Sequence, residues 1–353
     1  MILKIFDRIR NRQVEFFNNF QLNLQYDSVG STFSFDWFYD EANSEHRQLA
    51  CVSHFHECTI EHNGELLLTG YILSNNFRSG VKKQLVSFGG YSLPGVLEDC
   101  KIPPNISLQS DGKTLKQIAE TLLAPFKLKL IVDPSVSDKV NSRYDTSTAS
   151  ERQSVKSYLC ELANQKNVIV THNEHGNLLF TSAKTGLTPL FEVGKGMIGT
   201  GYEMNFNGQA MHSDITVLKQ AGIDGGNAGE FTIKNPYCPI VYRPDVIVQN
   251  SGNDNDTQDA AKHALANELK NIKLTITTDR WEVDKKIIKP NNLISLVAPE
   301  LYIFTKTNFF IEKIAFVGDT TKTTAILNCV IPEVYNFQTP KNIFVSDHFK
   351  QNA

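Results

Sequence analysis

The stretch that decides the fold runs from Pro239 to Trp281. It opens with the apolar segment Pro239-Ile-Val-Tyr-Arg-Pro-Asp-Val-Ile-Val248, passes through polar residues 249–256 and ends in Leu274-Thr-Ile-Thr-Thr-Asp-Arg-Trp281. Thr257 is a good N-cap for a helix between these two segments. The apolar residues of that helix recur at three-and-four spacing: Ala261, Ala264, Leu265, Leu269 and Ile272. We therefore predict a strand, a loop, a helix over residues 257–272 and a half-buried strand.

The composition is that of a globular protein with more than one domain. The chain has 353 residues, of which 41% are hydrophobic and 21% charged, and its 22 Phe and 11 Tyr favour strands. A net charge of -3 lacks the basic excess that binding to phosphates requires, so nucleic-acid binding is not expected as the main task. No run approaches the roughly 18 apolar residues of a spanning helix, so we expect no membrane insertion. The six cysteines include no CxxC pair and are expected to be reduced.

Residues 1–95 are predicted to form a small antiparallel β-barrel or sandwich. Their apolar residues alternate with polar ones, which is the period of a strand with one buried face. Strands are expected over residues 20–26, 33–37, 57–61, 65–73 and 82–88. Asn63-Gly64 is a strong hairpin signal, and Gly89-Gly90 is expected to end the last of these strands.

In residues 96–188 helical patterns replace the strand alternation, and we predict an α+β unit. Thr114 is expected to cap a helix that stops before Pro125, and a second helix is expected to start near Ser150. A strand over residues 168–171, a polar turn over 172–177 and a strand over 178–180 follow. From Phe191 onward β patterns return, around the single helix described above.

Three groups of residues have the composition of a site without its context. His54, His56 and Cys58 stand two apart and would share one face of a strand, but no fourth zinc ligand is evident, so surface or hydrogen-bonded positions are the preferred interpretation. His172, Glu174 and His175 would suit acid–base chemistry but are expected to be solvated at a hairpin tip. Gly194-Lys-Gly196-Met-Ile-Gly199 has GxGxxG spacing, but a strand pattern follows it where a dinucleotide site needs a helix. We therefore predict no catalytic residue, no metal site and no cofactor.

An ordered series of segments resembles the baseplate hub proteins of contractile-tailed, Mu-type bacteriophages and of related contractile injection systems. The segments extend from the early β hairpins to Ile314, although the family often has a glycine where this chain has Arg280. They are the early β hairpins, Gly90-Tyr-Ser-Leu with Val96-Leu-Glu-Asp-Cys100, the Thr114 helix ending in Ala-Pro-Phe126, the Ser154 to Leu162 helix running into Gly176-Asn-Leu-Leu-Phe180, Asn207-Gly-Gln209, Tyr242-Arg-Pro244, the Ala-rich helix and Phe310-Ile-Glu-Lys-Ile314.

The resemblance implies an α+β, mainly β fold with two antiparallel β-barrel tube domains. They would occupy residues 1–95 and 189–335, the second carrying the helical insertion 257–272, with the α+β domain 96–188 between them and a tail over 336–353. Three chains would then place six barrels in one ring, which could join a threefold spike to a sixfold tail tube. The expected partners are the spike, the tube, other baseplate proteins and the tape measure protein, with DNA passing through the lumen without specific binding. The expected location is the tail baseplate of the virion, after synthesis in the host bacterial cytoplasm.

Two other classes of function stay open. A tail-associated cell-wall hydrolase would need two carboxylates at a defined distance, and Glu57 with Glu61 is one pair of many in a chain with 38 acidic residues. A host-binding adhesin is the other, although the aromatic clustering that favours sugar binding is lacking. We expect a structural protein and no enzyme.

Overall fold

The computed structural model describes residues 1–6, 11–14, 17–80, 84–144, 147–193, 199–219, 230–249, 256–319 and 321–344. Within these ranges the fold is mainly β, as predicted, with a helical segment in the middle of the chain. The elements of the N-terminal segment are β1 (Ile2–Phe6), β2 (Asn11–Val14), β3 (Asn19–Gln25), β4 (Thr32–Phe38), α1 (Ser44–Leu49), β5 (Glu57–His62), β6 (Glu65–Arg78) and β7 (Leu85–Ser92).

The central segment contains four helices and a small sheet among its described residues. Its elements are α2 (Val96–Asp99), α3 (Leu115–Leu123), β8 (Leu130–Val132), α4 (Ser137–Asn141), α5 (Val155–Gln165), β9 (Ile169–His172) and β10 (Leu178–Thr181). The predicted cap of α3 is present, because Thr114 and Gln117 form a reciprocal capping box. The N-cap of α5 is Ser154, whose side chain accepts from the backbone N–H of Ser157. This start is later than the one that the residue pattern predicts near Ser150 and agrees with the Ser154 helix of the resemblance.

The C-terminal segment returns to strands around one long helix. Its elements are β11 (Glu192–Val193), β12 (Gly199–Phe206), β13 (Asp214–Lys219), β14 (Glu230–Lys234), β15 (Pro244–Gln249), α6 (Asp256–Leu269), β16 (Ile272–Thr278), β17 (Glu282–Val283), β18 (Lys286–Ile287), β19 (Leu293–Ala298), β20 (Ile303–Asp319), β21 (Thr323–Val330) and α7 (Glu333–Asn336). The turn predicted at Asp319 is present, since its carboxylate accepts from the backbone N–H of Thr321 and Lys322.

Two boundaries in the organising stretch differ from the prediction. Helix α6 already includes Asp256, so Thr257 lies inside it and is not the N-cap, and residues 250–255 lie outside the described ranges. Ile272 continues the helical spacing but is the first residue of β16, because the chain turns sharply after Leu269. At the other end, the predicted strand over residues 239–248 begins only at Pro244.

Strand β7 continues through Gly89-Gly90, which was predicted to end it. A Cβ on Gly90 would lie 1.9 Å from the carbonyl oxygen of Tyr71 on β6 and 2.7 Å from the ring of Phe33 on β4. These glycines therefore permit close approach of neighbouring strands, which is a packing role and not a strand-ending one.

One sheet connects the two ends of the chain. Within the described residues thirteen strands belong to it, and its main path runs β12-β16-β21-β20-β3-β4-β7-β6-β5-β1-β2. Off this path, β19 pairs with β20 and β11 pairs with β19. The link is the antiparallel pairing of β20 with β3, in which Phe316 lies opposite Leu22. The predicted hairpins β3–β4 and β5–β6 are present, the second turning through Asn63 and Gly64 in the left-handed region. In the described residues the two end strands of this path, β12 and β2, do not pair with each other, so the two closed barrels stay a prediction.

The molecule has two hydrophobic cores. The larger one unites both β segments, with Leu22 and Phe35 from the N-terminal side and Ile314, Phe316 and Leu327 from the C-terminal side. The smaller one lies between the helices and the three-stranded sheet β8-β10-β9 of the central segment. This division means that the N-terminal strands depend for burial on residues almost 300 positions away, whereas the central segment largely buries itself.

Candidate assembly surface

Strand β15 forms a free edge of a small sheet. The strand order is β14-β13-β15, and within the described residues β15 pairs only with β13, in parallel register from Asp214–Pro244 to Lys219–Gln249. Its outer backbone N–H and C=O groups therefore face away from the sheet. Such an edge is a template for another strand.

The edge carries exposed apolar side chains. Val246 and Val248 lie on one face of β15 and are 56% and 54% exposed, and the segment before them contributes Ile240, Val241 and Tyr242, exposed by 92%, 58% and 80%. We call these five residues the β15 surface. Clustered exposure of this kind marks interaction sites in soluble proteins.

The opposite face of the same sheet is buried by α6. Ile215 and Val217 of β13 are fully buried there, together with Ala261 and Leu265 of the helix. Because partners in register face the same side, Asp245 and Ile247 of β15 also point toward α6, whereas Val246 and Val248 point away from it. The alternation of the strand thus separates a helix-facing side from an exposed side.

Arg243 holds the start of β15 in place. Its guanidinium donates to the backbone carbonyls of Gly208 and Gln209 at 2.7 Å each, and its backbone N–H donates to the Ser213 hydroxyl at 2.9 Å. Pro244 follows as the first residue of the strand, a position where the missing N–H costs no ladder hydrogen bond. The Tyr242-Arg-Pro244 segment therefore presents Tyr242 outward from an anchored backbone.

A polar cluster lies on the helix-facing side, where the last turn of α6 meets β13 and β15. His212 Nδ1 is 2.6 Å from Glu268 Oε1, and the His212 backbone N–H donates to Glu268 Oε2 at 2.9 Å. Asn235, which is 2% exposed, donates from Nδ2 to the same Oε2 at 3.2 Å. One carboxylate oxygen of Asp245 lies within 4.8 Å of the ligand atoms of His212 and Glu268.

Sequence patterns missed this cluster because its members are far apart along the chain. His212, Asp245 and Glu268 are separated by 33 and 23 residues, and they lie in the loop before β13, in β15 and in α6, respectively. No local spacing connects them. Only the packing of α6 on the β13–β15 sheet brings them together.

The three residues considered as zinc ligands are not arranged as a site. His54 and His56 precede β5, with ring centroids 5.3 Å apart, and His54 is exposed while His56 and Cys58 are buried. Burial raises the pKa of the Cys58 thiol well above its usual range, as expected for a cysteine that packs in the core. This geometry gives no support to a metal at these positions.

His172 is not at the solvated tip where it was expected. It is the last residue of β9, and its Nδ1 lies 3.1 Å from the carbonyl oxygen of Ser28, at the junction with the β3–β4 turn. Burial lowers the pKa of this imidazole, which keeps it neutral. Glu174 and His175 do form the exposed tip, with 3.7 Å between Oε1 and Nε2.

The carboxylate pair and the glycine pattern considered in the sequence do not form catalytic or nucleotide-binding sites among the described residues. Glu61 pairs with Lys4 at 2.6 Å, so the carboxylate considered together with Glu57 is already bound to a lysine. Residues 194–198 of the glycine pattern lie outside the described ranges, and Gly199 begins strand β12, as the alternation predicted. Among the described residues, no helix combines the length and apolar character needed to cross a membrane.

Comparison with known proteins gives the resemblance an independent basis. Residues 94–182, most of the central segment, match the family model of the second domain of gp44-like baseplate hub proteins. Over 274 residues the chain is 25% identical to the baseplate hub protein gp44 of Escherichia phage Mu, covering 73% of this chain and 70% of that protein. The chain is similar in sequence to the Mu hub protein over most of its length. The resemblance predicted from the sequence is thereby confirmed.

Solved structures share the fold at lower identity. A 43 kDa tail protein of prophage MuSo2 from Shewanella oneidensis has a TM-score of 0.77 at 19% identity, covering 95% of this chain and 98% of that one. A tail protein from Neisseria meningitidis MC58 has a TM-score of 0.79 at 17% identity, covering 96% and 98%. The E. coli c3393 protein, a component of the type VI secretion system, has a TM-score of 0.56 at 10% identity, covering 98% and 80%. At these identities the likeness establishes the fold alone.

Proposed function

We propose that this chain is a structural hub of a phage-type tail baseplate. The observation that carries the proposal is the 25% identity with the Mu hub protein over 73% of the chain, to which the match of residues 94–182 to a hub domain adds a second, local signal. The role is one of assembly and requires no catalytic residue. Its place would be the tail of the virion, after synthesis in the bacterial cytoplasm.

The proposed architecture has two tube-type β domains, residues 1–95 and 189–335, on either side of the α+β domain 96–188, with 336–353 as a tail. In a homotrimer these would supply six β domains to one ring, which matches a threefold spike to a sixfold tube. The separate core of the central segment is compatible with a domain at 96–188. The pairing of β3 with β20 would keep the two tube domains of one chain side by side.

The proposed partners are the spike, the tail tube, other baseplate proteins and the tape measure protein. DNA would pass through the ring without specific binding, in keeping with a net charge of -3 that offers phosphates no overall attraction. Structures with the same fold include a VgrG protein of Francisella, solved as a PdpA–VgrG complex.

We assign contact between neighbouring copies to the β15 surface. A free strand edge offers backbone hydrogen bonds, and the exposed Val246, Val248 and Tyr242 offer apolar area beside it. A second copy is the expected occupant, since a ring of identical chains must place one such surface of each chain against its neighbour.

The test is the mass of the native protein by light scattering, with and without a co-expressed spike candidate. The expected result is a mass about three times that of the 39.6 kDa chain, which rises further when the spike is present. A monomer that ignores the spike at all concentrations would contradict the proposal.

A pair of matched variants locates the contact. Val246→Lys places a charge on the β15 surface and is expected to shift the protein toward monomer, because a lysine in an apolar contact must be desolvated. Val52→Lys is the control, since Val52 is equally exposed, at 56%, but lies before β5. Loss of the trimer in both variants, or in neither, would argue against the β15 surface as the contact.

A further inference from the structure

The polar cluster at the end of α6 has the composition of a metal site. It offers an imidazole nitrogen from His212, a carboxylate oxygen from Asp245 and one from Glu268, all within 4.8 Å of one another. One imidazole with two carboxylates is a donor set that zinc accepts, at about 2.1 Å per bond. A fourth position would be taken by water, because the His212 side chain is 34% exposed.

The separations fit one ion after a small adjustment. In a tetrahedral zinc site, two atoms bonded to the ion at about 2.1 Å lie about 3.4 Å apart. The three ligand atoms lie within 4.8 Å of one another, so side-chain rotations that shorten the longest separation by at most about 1.4 Å would bring them to that geometry. His212 Nδ1 and Glu268 Oε1, now 2.6 Å apart, would separate slightly to admit the ion.

A supporting shell already orients the Glu268 carboxylate. Its Oε2 accepts from the His212 backbone N–H and from Asn235 Nδ2, and Oδ1 of the buried Asn235 is itself held by the backbone N–H of Tyr237 at 3.0 Å. Both outer hydrogen bonds are thus made to Oε2, which leaves Oε1 to face the ion. Partners of this kind fix ligand orientation in metal sites.

The charge balance of the cluster also favours a cation. Within the part of the chain that the structure describes, the Asp245 side chain forms no hydrogen bond or ion pair, although it is partly buried and lies close to the Glu268 carboxylate. The nearest arginine in sequence, Arg243, directs its guanidinium to Gly208 and Gln209. Two carboxylates at this distance repel each other, and a cation bound between them would relieve that repulsion.

We propose that His212, Asp245 and Glu268 bind one zinc ion, which joins the last turn of α6 to β15 and to the loop before β13. The site is structural. It fixes the strand that carries the β15 surface, and it does not depend on the role proposed for the chain, because the ligands come from a single copy.

The experiment uses the full-length protein, treated with a chelator, desalted and titrated with zinc chloride. The expected result is one zinc per chain after gel filtration and a rise in Tm of several degrees, since a ligand of the folded state stabilises it. Asp245→Asn is expected to weaken zinc binding at least about tenfold, as loss of even a supporting residue does at such sites. Asp259→Asn is the control, because it removes the same charge from the exposed part of α6, where Asp259 pairs with Lys262.

Substituting cobalt(II) for zinc shows whether the metal is bound by this site or by cysteine residues. Coordination by nitrogen and oxygen gives visible bands without the near-ultraviolet sulfur charge-transfer band that a cysteine ligand produces. The proposal is overturned if the wild type retains no zinc, if Asp245→Asn binds it as the wild type does, or if the cobalt spectrum shows sulfur. Circular dichroism of both variants verifies that they fold.

Discussion

His263 is a buried histidine without a partner for one of its ring nitrogens. It lies on α6 with its ring centroid 4.1 Å from that of Phe337, and its Nε2 has no hydrogen-bond partner in the described chain. Burial lowers the pKa of this imidazole to about 4, against the raising effect of Asp259 and with a lesser lowering by Lys139 and Lys270. The folded protein therefore holds His263 neutral at pH values where the unfolded chain would protonate it.

This burial predicts a loss of stability in mild acid. A depressed histidine pKa means that the unfolded state binds the proton first, so the stabilisation is complete above about pH 6.5 and is lost as pH falls toward 4. The loss attributable to His263 is on the order of 3 kcal/mol at most. Urea unfolding at pH 7, 6, 5 and 4 measures it, and His263→Gln is expected to flatten the slope. His175→Gln, at an exposed tip, should leave the slope as it is; equal slopes for wild type and His263→Gln would contradict the assignment.

At the residue level the sequence predicted which residues are buried or cap a helix better than it predicted which distant residues they contact. The buried faces of β3 and β4 follow from simple alternation, and the capping box at Thr114 follows from the local spacing of Thr and Gln. His172 was misplaced because nothing in the residues near it indicates that the Ser28 turn folds onto it.

Helix α6 is the element that organises the C-terminal segment. It packs on β13 and β14 through Ala261, Leu265 and Leu269, all of them at most 1% exposed. The same helix supplies Glu268 to the polar cluster. Its burial therefore connects the core to the strand that carries the β15 surface.

Truncation of Leu265 tests this role. Leu265→Ala is expected to reduce the free energy of unfolding by about 2–5 kcal/mol, because it removes buried methyl groups and leaves a cavity. Asn267→Ala is the control on the exposed face of the same helix and should change stability by less than about 0.5 kcal/mol. Both are measured by urea denaturation. Similar values for the two variants would mean that α6 is not packed as described.

Element boundaries were less predictable than element faces. The period of Ala261, Leu265 and Leu269 gave the buried side of α6 correctly, but Ile272 fits the same period although it starts β16. Spacing alone cannot detect a chain reversal that occurs between two apolar residues. The prediction that Gly89-Gly90 ends a strand was wrong for a related reason. The sequence does not distinguish a glycine that lets a neighbouring strand approach from a glycine that ends a strand.

The whole molecule has two hydrophobic cores, and the larger one is formed jointly by the N-terminal and C-terminal segments. The aromatic ring of Trp281 lies 5.4 Å from that of Phe20 on β3 and 5.3 Å from that of Phe316 on β20, so distant segments share one core. The helices of the central segment bury their apolar faces in a second core. Opening of the first core should therefore affect both ends of the chain together.

Hydrogen exchange can observe this coupling. Phe316→Ala, in β20, is expected to lower the protection of amides in β3 and β4 as well as in β20 and β21, because these strands lose a common core residue. Amides of α3 and α5 should keep their protection. Leu159→Ala, at an equally buried position in α5, is the matched control and should give the opposite pattern. Uniform loss of protection in both variants would indicate a single cooperative unit instead.

The periods and turns of this sequence determined its mainly β character, the hairpins β3–β4 and β5–β6 and the buried faces of α3, α5 and α6, because each depends on residues within a few positions of one another. The tertiary structure alone decided the pairing of β20 with β3 and the meeting of His212, Asp245 and Glu268. Every strand offers the same backbone hydrogen bonds, so the choice of a distant partner depends on how the complete set of apolar faces can be buried at once.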